Sequence, residues 1–521
     1  MSKVHVRFLV SYLNEHKNVA FLGSDLLKKL ISYYPELSEA NGRKIISNCK
    51  AKGLIDSSEP VSFDNNQYAY FAVGSEKNYQ LYKELIKKYK QQLFRVIYAL
   101  RRNKNILSIN DFYRISGVSS EPNSHSVTAN RLLQDLELLN IAEKKETNGI
   151  EYIHFINFEP SADMVKRLTD DLADKNFLIS CCVQWLIKCN IVSGKNVCYI
   201  GSDNQFSGIE RNYMFWDSIG FTNTIGIGGK EKEFQTMVVI DFLANYKYEE
   251  YDFQGFQSRV DHLIFSVRKA KRKVLPIVIV NSISPAAKAL LREKHYMFFS
   301  LDSLFGKNAI QVAKEYRQTI NAIEHHIEIK NYSQIVDEVA GLYSYVSNNA
   351  NEVNLGNIKG ALFEYLMFPV LERVFNKKGD RIIHSFKGSV SNKKYEFDYR
   401  IETETENIFI ELKGYKNSNI IPLGMKKANH IPEKNSILWS LKQYEIAKEQ
   451  FSQTNERKTK FCFITTCKIE EQAKEALSKR KKDKSEYLEI FYDYESLLSL
   501  LRSINSRNEI HVIKQFFGEE K

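Results

Sequence analysis

The sequence predicts a multidomain chain of mixed α+β and α/β class, and three observations carry that prediction. A plan of three helices ending in a β-wing occurs twice before residue 160. From about residue 175 the pattern changes to short apolar strands alternating with helices. From about residue 350 the order reads helix, three strands, helix, strand, with a charged hairpin at its centre.

Composition bounds the function. The 521 residues are material for three or four domains, and 43% hydrophobic with 26% charged residues is ordinary for a cored globular chain. A formal charge of +11 and a pI near 8.9 suit a polyanionic partner. The opening MSKVHVRFLV lacks a signal-peptide design, and no apolar run approaches the roughly 20 residues of a membrane span. A cytoplasmic protein with no membrane partner is expected. The seven cysteines form no C-x-x-C pair and no zinc spacing. Cys181, Cys182 and Cys189, in FLISCCVQWLIKC, read as core residues.

Residues 3–14, Ser24–Tyr34 and a stretch from Ser38 through RKIISNCKAKGLI carry helical periodicity, and SSEPVSFDNNQYAYFAV follows as an aromatic strand region. Three helices and a β-wing make a winged helix over residues 1–75. Its third helix turns Asn41, Arg43, Lys44 and Asn48 outward, toward a DNA groove in one reading and a protein partner in the other. The plan recurs over 76–160: a connecting helix at 76–92, helices LFRVIYALR, SINDFYRISGV and SVTANRLLQDLELL, then a wing hairpin around Asn148–Gly149. Arg131 is its candidate DNA contact, although Asp135 and Glu137 share that helix.

The region 170–330 reads as an α/β scaffold. Its strands are NVCYIG, TNTIGIG, FQTMVVID, LPIVIVN and HYMFFS; its helices lie near 177–190, 208–219, 255–272, 285–294 and 301–325. MVVIDFLA sits where IFIELKGY sits in the last domain, which places Asp241 on Glu411 and Leu243 on Lys413. The region is either a diverged copy of the C-terminal domain that lost its lysine or an independent Rossmann-like sheet.

The C-terminal domain, 350–521, is organised around Lys394–Lys413, KYEFDYRIETETENIFIELK. Tyr395, Phe397, Tyr399 and Ile401 alternate with charged residues, and Ile408, Ile410 and Leu412 alternate on the return, the pattern of a half-buried hairpin. A turn centred between Glu404 and Thr405 sets Asp398 opposite Glu411 and Glu396 opposite Lys413. Like charges face to face cost energy, and a divalent cation turns that cost into a binding site. Ahead of the hairpin, the amphipathic helix NLGNIKGALFEYLMFPVLERVF carries Glu364 within an apolar run.

Glu364, Asp398 and the tripeptide Glu411-x-Lys413, in this order, resemble the PD-(D/E)XK nuclease superfamily with its restriction-endonuclease-like αβββαβ fold. Gly360-x-x-x-Glu364 resembles the leading helix of Mrr-like and Holliday-resolvase-like members. E-x-K alone is uninformative, since Glu15–Lys17, Glu143–Lys145, Glu328–Lys330 and Glu456–Lys458 also satisfy it. Only Glu411–Lys413 ends an apolar strand that faces an aspartate across a hairpin. Gln443 falls where many members carry glutamine, but position 447 is Ala, with Tyr444 adjacent, and Phe397 replaces the proline.

The resemblance spans residues 353–500. It implies a Mg²⁺-dependent DNA endonuclease (Mn²⁺ substituting) of restriction or anti-phage defence, acting as a homodimer, with an additional defence-system protein as a candidate partner. In that scheme Asp398, Glu411, the Leu412 carbonyl and Glu364 bind metal. Lys413 orients the attacking water, Gln443 assists, and Lys416, Lys426 and Lys427 contact phosphates. The alternatives are a structure-specific resolvase, an RNase, or a non-catalytic DNA-binding regulator with a relict nuclease domain.

Overall fold

The computed structural model describes residues 3–120, 127–194, 197–200, 209–222, 235–268, 272–305, 308–349, 352–377, 379–390, 393–424, 435–454 and 457–518. The chain is a multidomain α+β protein that divides into two compact units, Met1–Leu304 and Phe305–Lys521. The division falls before the boundary at 330 expected from the sequence.

The first unit opens with α1 (Lys3–Glu15), β1 (Phe21–Leu22), α2 (Gly23–Tyr33), α3 (Glu39–Ala51), β2 (Asp56–Ser62) and β3 (Tyr68–Phe71). After the connecting α4 (Tyr79–Tyr89), the same order returns as α5 (Gln91–Arg102), β4 (Ile106–Ser108), α6 (Ile109–Ser116), α7 (Ala129–Leu138), β5 (Ala142–Thr147) and β6 (Ile150–Phe155). The sheets repeat as well: β1-β3-β2 and β4-β6-β5. Local chemistry explains both copies. Ser38 and Thr128 cap the third helices by accepting from Asn41 and Arg131 N–H. Asn148 and Gly149, both at positive φ, make the two-residue turn that pairs Thr147 with Ile150. One apolar cluster, including Leu22, Phe71, Tyr82, Leu93, Phe112 and Ile153, runs through both copies. They are therefore packed through α4, not strung as separate beads.

The unit continues with α8 (Ala162–Lys188), β7 (Cys198–Tyr199), β8 (Ile209–Arg211), β9 (Met214–Trp216), β10 (Ser218–Thr222), β11 (Thr236–Tyr248), α9 (Glu250–Val267), β12 (Val274–Ile283), α10 (Pro285–Glu293), β13 (Met297–Ser300) and α11 (Leu301–Phe305), which straddles the division. The helix expected at 208–219 is absent; three short strands occupy it, because Asn212 and Tyr213 both take positive φ and turn β8 back on β9. Most of the TNTIGIG strand lies outside the described residues. The sheet order is β13-β12-β11-β10-β7, with β7 and β10 antiparallel and β12 and β13 parallel to their neighbours. That mixture departs from a Rossmann-like sheet. Cys181 and Cys182 are buried, but Cys189 is exposed, since it caps the end of α8.

Helices α6 and α9 meet at glycines. A Cβ on Gly255 would lie 2.4 Å from the Ile115 carbonyl oxygen, and one on Gly117 would lie 2.7 Å from that of Gly255. Gly255→Ala is therefore expected to destabilise the N-terminal unit by about 1–3 kcal/mol through overpacking. A urea midpoint equal to wild type would show instead that the helices separate freely.

The second unit begins with α12 (Ala309–Glu328), α13 (Tyr332–Asn349) and α14 (Glu352–Val374), then β14 (Arg381–Val390), β15 (Lys393–Glu402), β16 (Glu406–Lys413), β17 (Ile420–Ile421), α15 (Ile437–Thr454), β18 (Lys458–Thr465), β19 (Lys468–Ile469), α16 (Glu471–Ser478), β20 (Phe491–Tyr492), α17 (Tyr494–Ser503) and α18 (Arg507–Phe517). The main sheet is ordered β14-β15-β16-β18-β20; β14, β15 and β16 form an antiparallel meander, and β16, β18 and β20 are parallel. No helix among the described residues is long and apolar enough to cross a membrane.

Candidate active site

The register of the central hairpin follows from its turn. Thr403 and Glu406 close a two-residue loop, and Tyr399 pairs with Ile410, the arithmetic expected from a turn between Glu404 and Thr405. Two details differ. β16 is buried on both faces, so it is not half of a solvated hairpin. The reason is its place at the sheet centre: α14 packs on it, while Phe409 joins the apolar cluster of α15. Glu396 does not reach Lys413; it pairs with Lys387 at the exposed edge.

The side-chain alternation of β15 also resets at Asp398. Tyr395 and Phe397 lie in the α15 cluster, whereas the Tyr399 hydroxyl donates to the Glu364 carbonyl of α14 at 2.9 Å. Strand pairing with β14 skips Ser385 and Asp398, and Ser385 has φ 53°. This irregularity falls at Asp398 itself, the residue opposite Glu411. Past Tyr399–Ile410, the Leu412 N–H donates to Asp398 Oδ2 at 2.6 Å. Lys413 Nζ donates to Glu411 Oε1 at 2.6 Å. The strand end is clamped by Thr465, whose hydroxyl donates to the Lys413 carbonyl at 2.8 Å. Gly414 then lets the chain pass α14: a Cβ there would lie 2.7 Å from Phe363 Cβ.

Electrostatics marks the pair. Burial, then Glu411 and Glu364, push the Asp398 carboxyl well above its ordinary range. Burial also raises Glu411, with Lys413 opposing. Burial alone would lower Lys413, but Glu411 and Asp398 more than offset it and hold the ammonium charged. Glu364, half-buried on α14, faces His384 of β14, with Oε2 and Nε2 3.4 Å apart. The His384 ring stacks on Tyr399, with centroids 4.9 Å apart. Sequence reasoning missed His384; a lone histidine in RIIHSF, opposite Tyr399, was the available signal.

Among the described residues, no group of three or more His, Cys, Asp and Glu is arranged to hold a metal ion. Asp398 and Glu411 are a pair, and Glu364 is near enough to act on both by charge. Gln443 is half-buried on α15 and, among the described residues, makes no hydrogen bond to that pair. Tyr444 is structural: its buried hydroxyl donates to the Thr459 carbonyl and to Asp483. Lys416 lies half-buried just past Gly414; Lys426 and Lys427 lie outside the described residues.

The raised carboxyls give a pH prediction. A carboxyl with a folded pKa above its unfolded value binds more protons when folded, so stability falls as pH rises between the two values. Asp398→Asn keeps the acceptor for Leu412 N–H without the charge. It is expected to raise the metal-free urea midpoint at pH 7.5 and to have little effect at pH 4. Equal shifts at both pH values would refute the assignment.

In the N-terminal unit, Arg43 and Lys44 are exposed on α3, with Arg43 3.2 Å from Glu39, and Asn48 is half-buried. Arg131 lies 3.0 Å from Asp135, which is buried and also pairs with Lys90 at 2.8 Å. Asp135 therefore belongs to the core side of α7.

No protein family and no curated protein matches the chain. Similar solved structures include a repair endonuclease from Pyrococcus abyssi, 16% identical, covering 29% of this chain and 53% of that one with a TM-score of 0.17. An EndoMS-dsDNA2 complex is 13% identical, covering 30% and 52% with a TM-score of 0.18. Can2 from Sulfobacillus thermosulfidooxidans, in complex with cyclic tetra-adenylate, is 10% identical, covering 52% and 92% with a TM-score of 0.21. The chain thus spans about half the length of the first two. TM-scores this low leave the site to be judged on its own geometry.

Proposed function

We propose that the C-terminal unit is a Mg²⁺-dependent endonuclease of the PD-(D/E)XK kind, acting on DNA. The observation that carries the reading is the end of β16, where Asp398 is tied to Leu412 N–H, beside Glu411 and its partner Lys413, at the centre of a mixed sheet. Asp398 and Glu411 are hard oxygen donors whose charges repel, so a divalent cation fits them; the Leu412 carbonyl and Glu364 are further candidates. When bound, Mg²⁺ supplies Lewis acidity and a water acidified for attack. Lys413, kept protonated, orients that water or contacts the scissile phosphate and does not act as a free base. Lys416, Lys426, Lys427 and Gln443 are proposed substrate contacts.

DNA is favoured by the +11 net charge and by the two helix–wing modules, which we read as winged helices presenting Arg43, Lys44, Asn48 and Arg131. A homodimer would cut both strands, and a defence role in the cytoplasm, with or without a partner protein, completes the reading. The His384–Glu364 contact favours one second reading, a relict domain that binds DNA without cutting.

The test incubates the full chain with plasmid DNA, linear duplex, a four-way junction and single-stranded RNA, with Mg²⁺ or EDTA. Mg²⁺-dependent nicks in duplex DNA are expected. Cleavage of junction or RNA alone redirects the substrate, and binding without cutting in Mg²⁺ or Mn²⁺ supports the relict.

A further inference from the structure

The middle sheet of the first unit repeats the main sheet of the second, strand for strand. β7-β10-β11-β12-β13 matches β14-β15-β16-β18-β20: two antiparallel neighbours, a central strand, then two parallel ones. Helices α8, α9 and α10 stand in sequence where α14, α15 and α16 stand. The likeness reaches single atoms. Ser218 pairs with Ile240, which brings Asp217 opposite Asp241 one step beyond the ladder, as Asp398 comes opposite Glu411 beyond Tyr399–Ile410. Phe242 N–H donates to Asp217 Oδ2 at 2.8 Å, and Leu412 N–H donates to Asp398 Oδ2 at 2.6 Å. Buried Leu243 holds the place of Lys413.

What surrounds the two pairs differs. Lys175, on the helix that precedes the sheet, puts Nζ 2.9 Å from Asp217 Oδ1; the corresponding helix in the other copy carries Glu364. Arg259 of α9 donates to Asp241 Oδ1, and Arg114 of α6 lies 3.6 Å from Asp241 Oδ2. Arg114 and Arg102 converge in turn on Asp252 at 2.7 and 2.6 Å. Asp217 and Asp241 are 1% and 0% exposed. Arg102 and Arg114 come from the second helix–wing module, whose α6 lies against α9 at the two glycines.

We propose that the middle domain is a second copy of the C-terminal fold in which the carboxylate pair Asp217–Asp241, a divalent-cation site in origin, is now occupied by the chain's own cations. Lys175, Arg259 and Arg114 supply the positive charge a metal would bring, and Arg114 thereby clamps the second helix–wing module onto the sheet. The pair is closed to nucleic acid and makes no cut. Its origin as a metal pair rests on the reading of Asp398 and Glu411; the clamp does not.

The test measures Mn²⁺ binding by electron paramagnetic resonance and by thermal shift, using the full chain. In an Asp398→Asn/Glu411→Gln background, no tightly bound Mn²⁺ is expected. Adding Lys175→Met and Arg259→Met should create one Mn²⁺ site per chain and a Mn²⁺-dependent rise in melting temperature, both abolished by Asp217→Asn. The proposal is overturned if that folded variant gains no Mn²⁺ response. It is equally overturned if the background alone binds Mn²⁺ through Asp217.

Should the variant not fold, Asp217→Asn/Asp241→Asn is added to it. Recovered folding then shows that unpaired carboxylates were the cause; continued failure overturns the proposal, because the cations would serve packing. Mn²⁺ binding by the otherwise wild-type chain, lost on Asp398→Asn, reports separately on the C-terminal site.

Discussion

Lys413→Ala is expected to cut Mg²⁺-dependent nicking by about a hundred- to a thousandfold, the usual cost of removing one preorganised stabilising group. The ammonium is fixed by its 2.6 Å bond to Glu411 Oε1 and held charged by two carboxylates, so its loss removes an oriented cation from the proposed reacting centre. Glu411→Gln should be at least as damaging, since it removes a proposed metal ligand and the partner of Lys413 together. DNA retention and near-UV circular dichroism should stay at wild-type values for both. Lys413→Arg is expected to rescue poorly, because a planar fork does not reproduce a compact point charge at this position. In EDTA, Lys413→Ala should also melt earlier, as Glu411 then has no counter-ion, and Mg²⁺ should restore part of the difference. Nicking by either variant at the wild-type rate would remove the active-site assignment.

Arg114→Ala is expected to destabilise the N-terminal unit by about 3–5 kcal/mol, the cost of breaking a buried ion pair from one side. The guanidinium lies 2.7 Å from Asp252 and 3.3 Å from Asp111, with Asp241 at 3.6 Å, and is 2% exposed. Removing it leaves three acidic groups short of positive charge. The urea transition of this unit is the measurement, and a loss below about 1 kcal/mol would mean that water or Arg102 compensates.

The same network sets an acid limit. Burial would raise Asp111, but Lys175 and Arg114 outweigh it and push the carboxyl down to about 2. Its contribution is therefore present above the ordinary carboxylate range and lost as pH falls toward about 2. Arg114→Ala should shift acid unfolding to higher pH.

Much of this architecture is local information. The two-residue loop sets the register of Tyr399 on Ile410, and Asn148–Gly149 set that of the β5–β6 hairpin, because short loops leave no freedom of pairing. Periodic apolar residues and Ser or Thr caps set the repeated helices.

Other features depend on partners distant in sequence. β16 is buried on both faces because helices from either side of the hairpin cover it. Glu364 meets His384, and Asp398 sits at a break in alternation, only because α14 packs across the meander. Asp217 lies 24 positions before Asp241 among short aromatic strands that resemble an amphipathic helix, so its place opposite Asp241 emerged only from strand pairing. The sequence by itself singled out Asp398, Glu411 and Lys413 as candidate site residues and set the register that brings Asp398 opposite Glu411. Tertiary structure alone decided what surrounds each carboxylate pair: α14 brings Glu364 to Asp398 and Glu411, whereas α8 brings Lys175, α9 Arg259 and α6 Arg114 to Asp217 and Asp241.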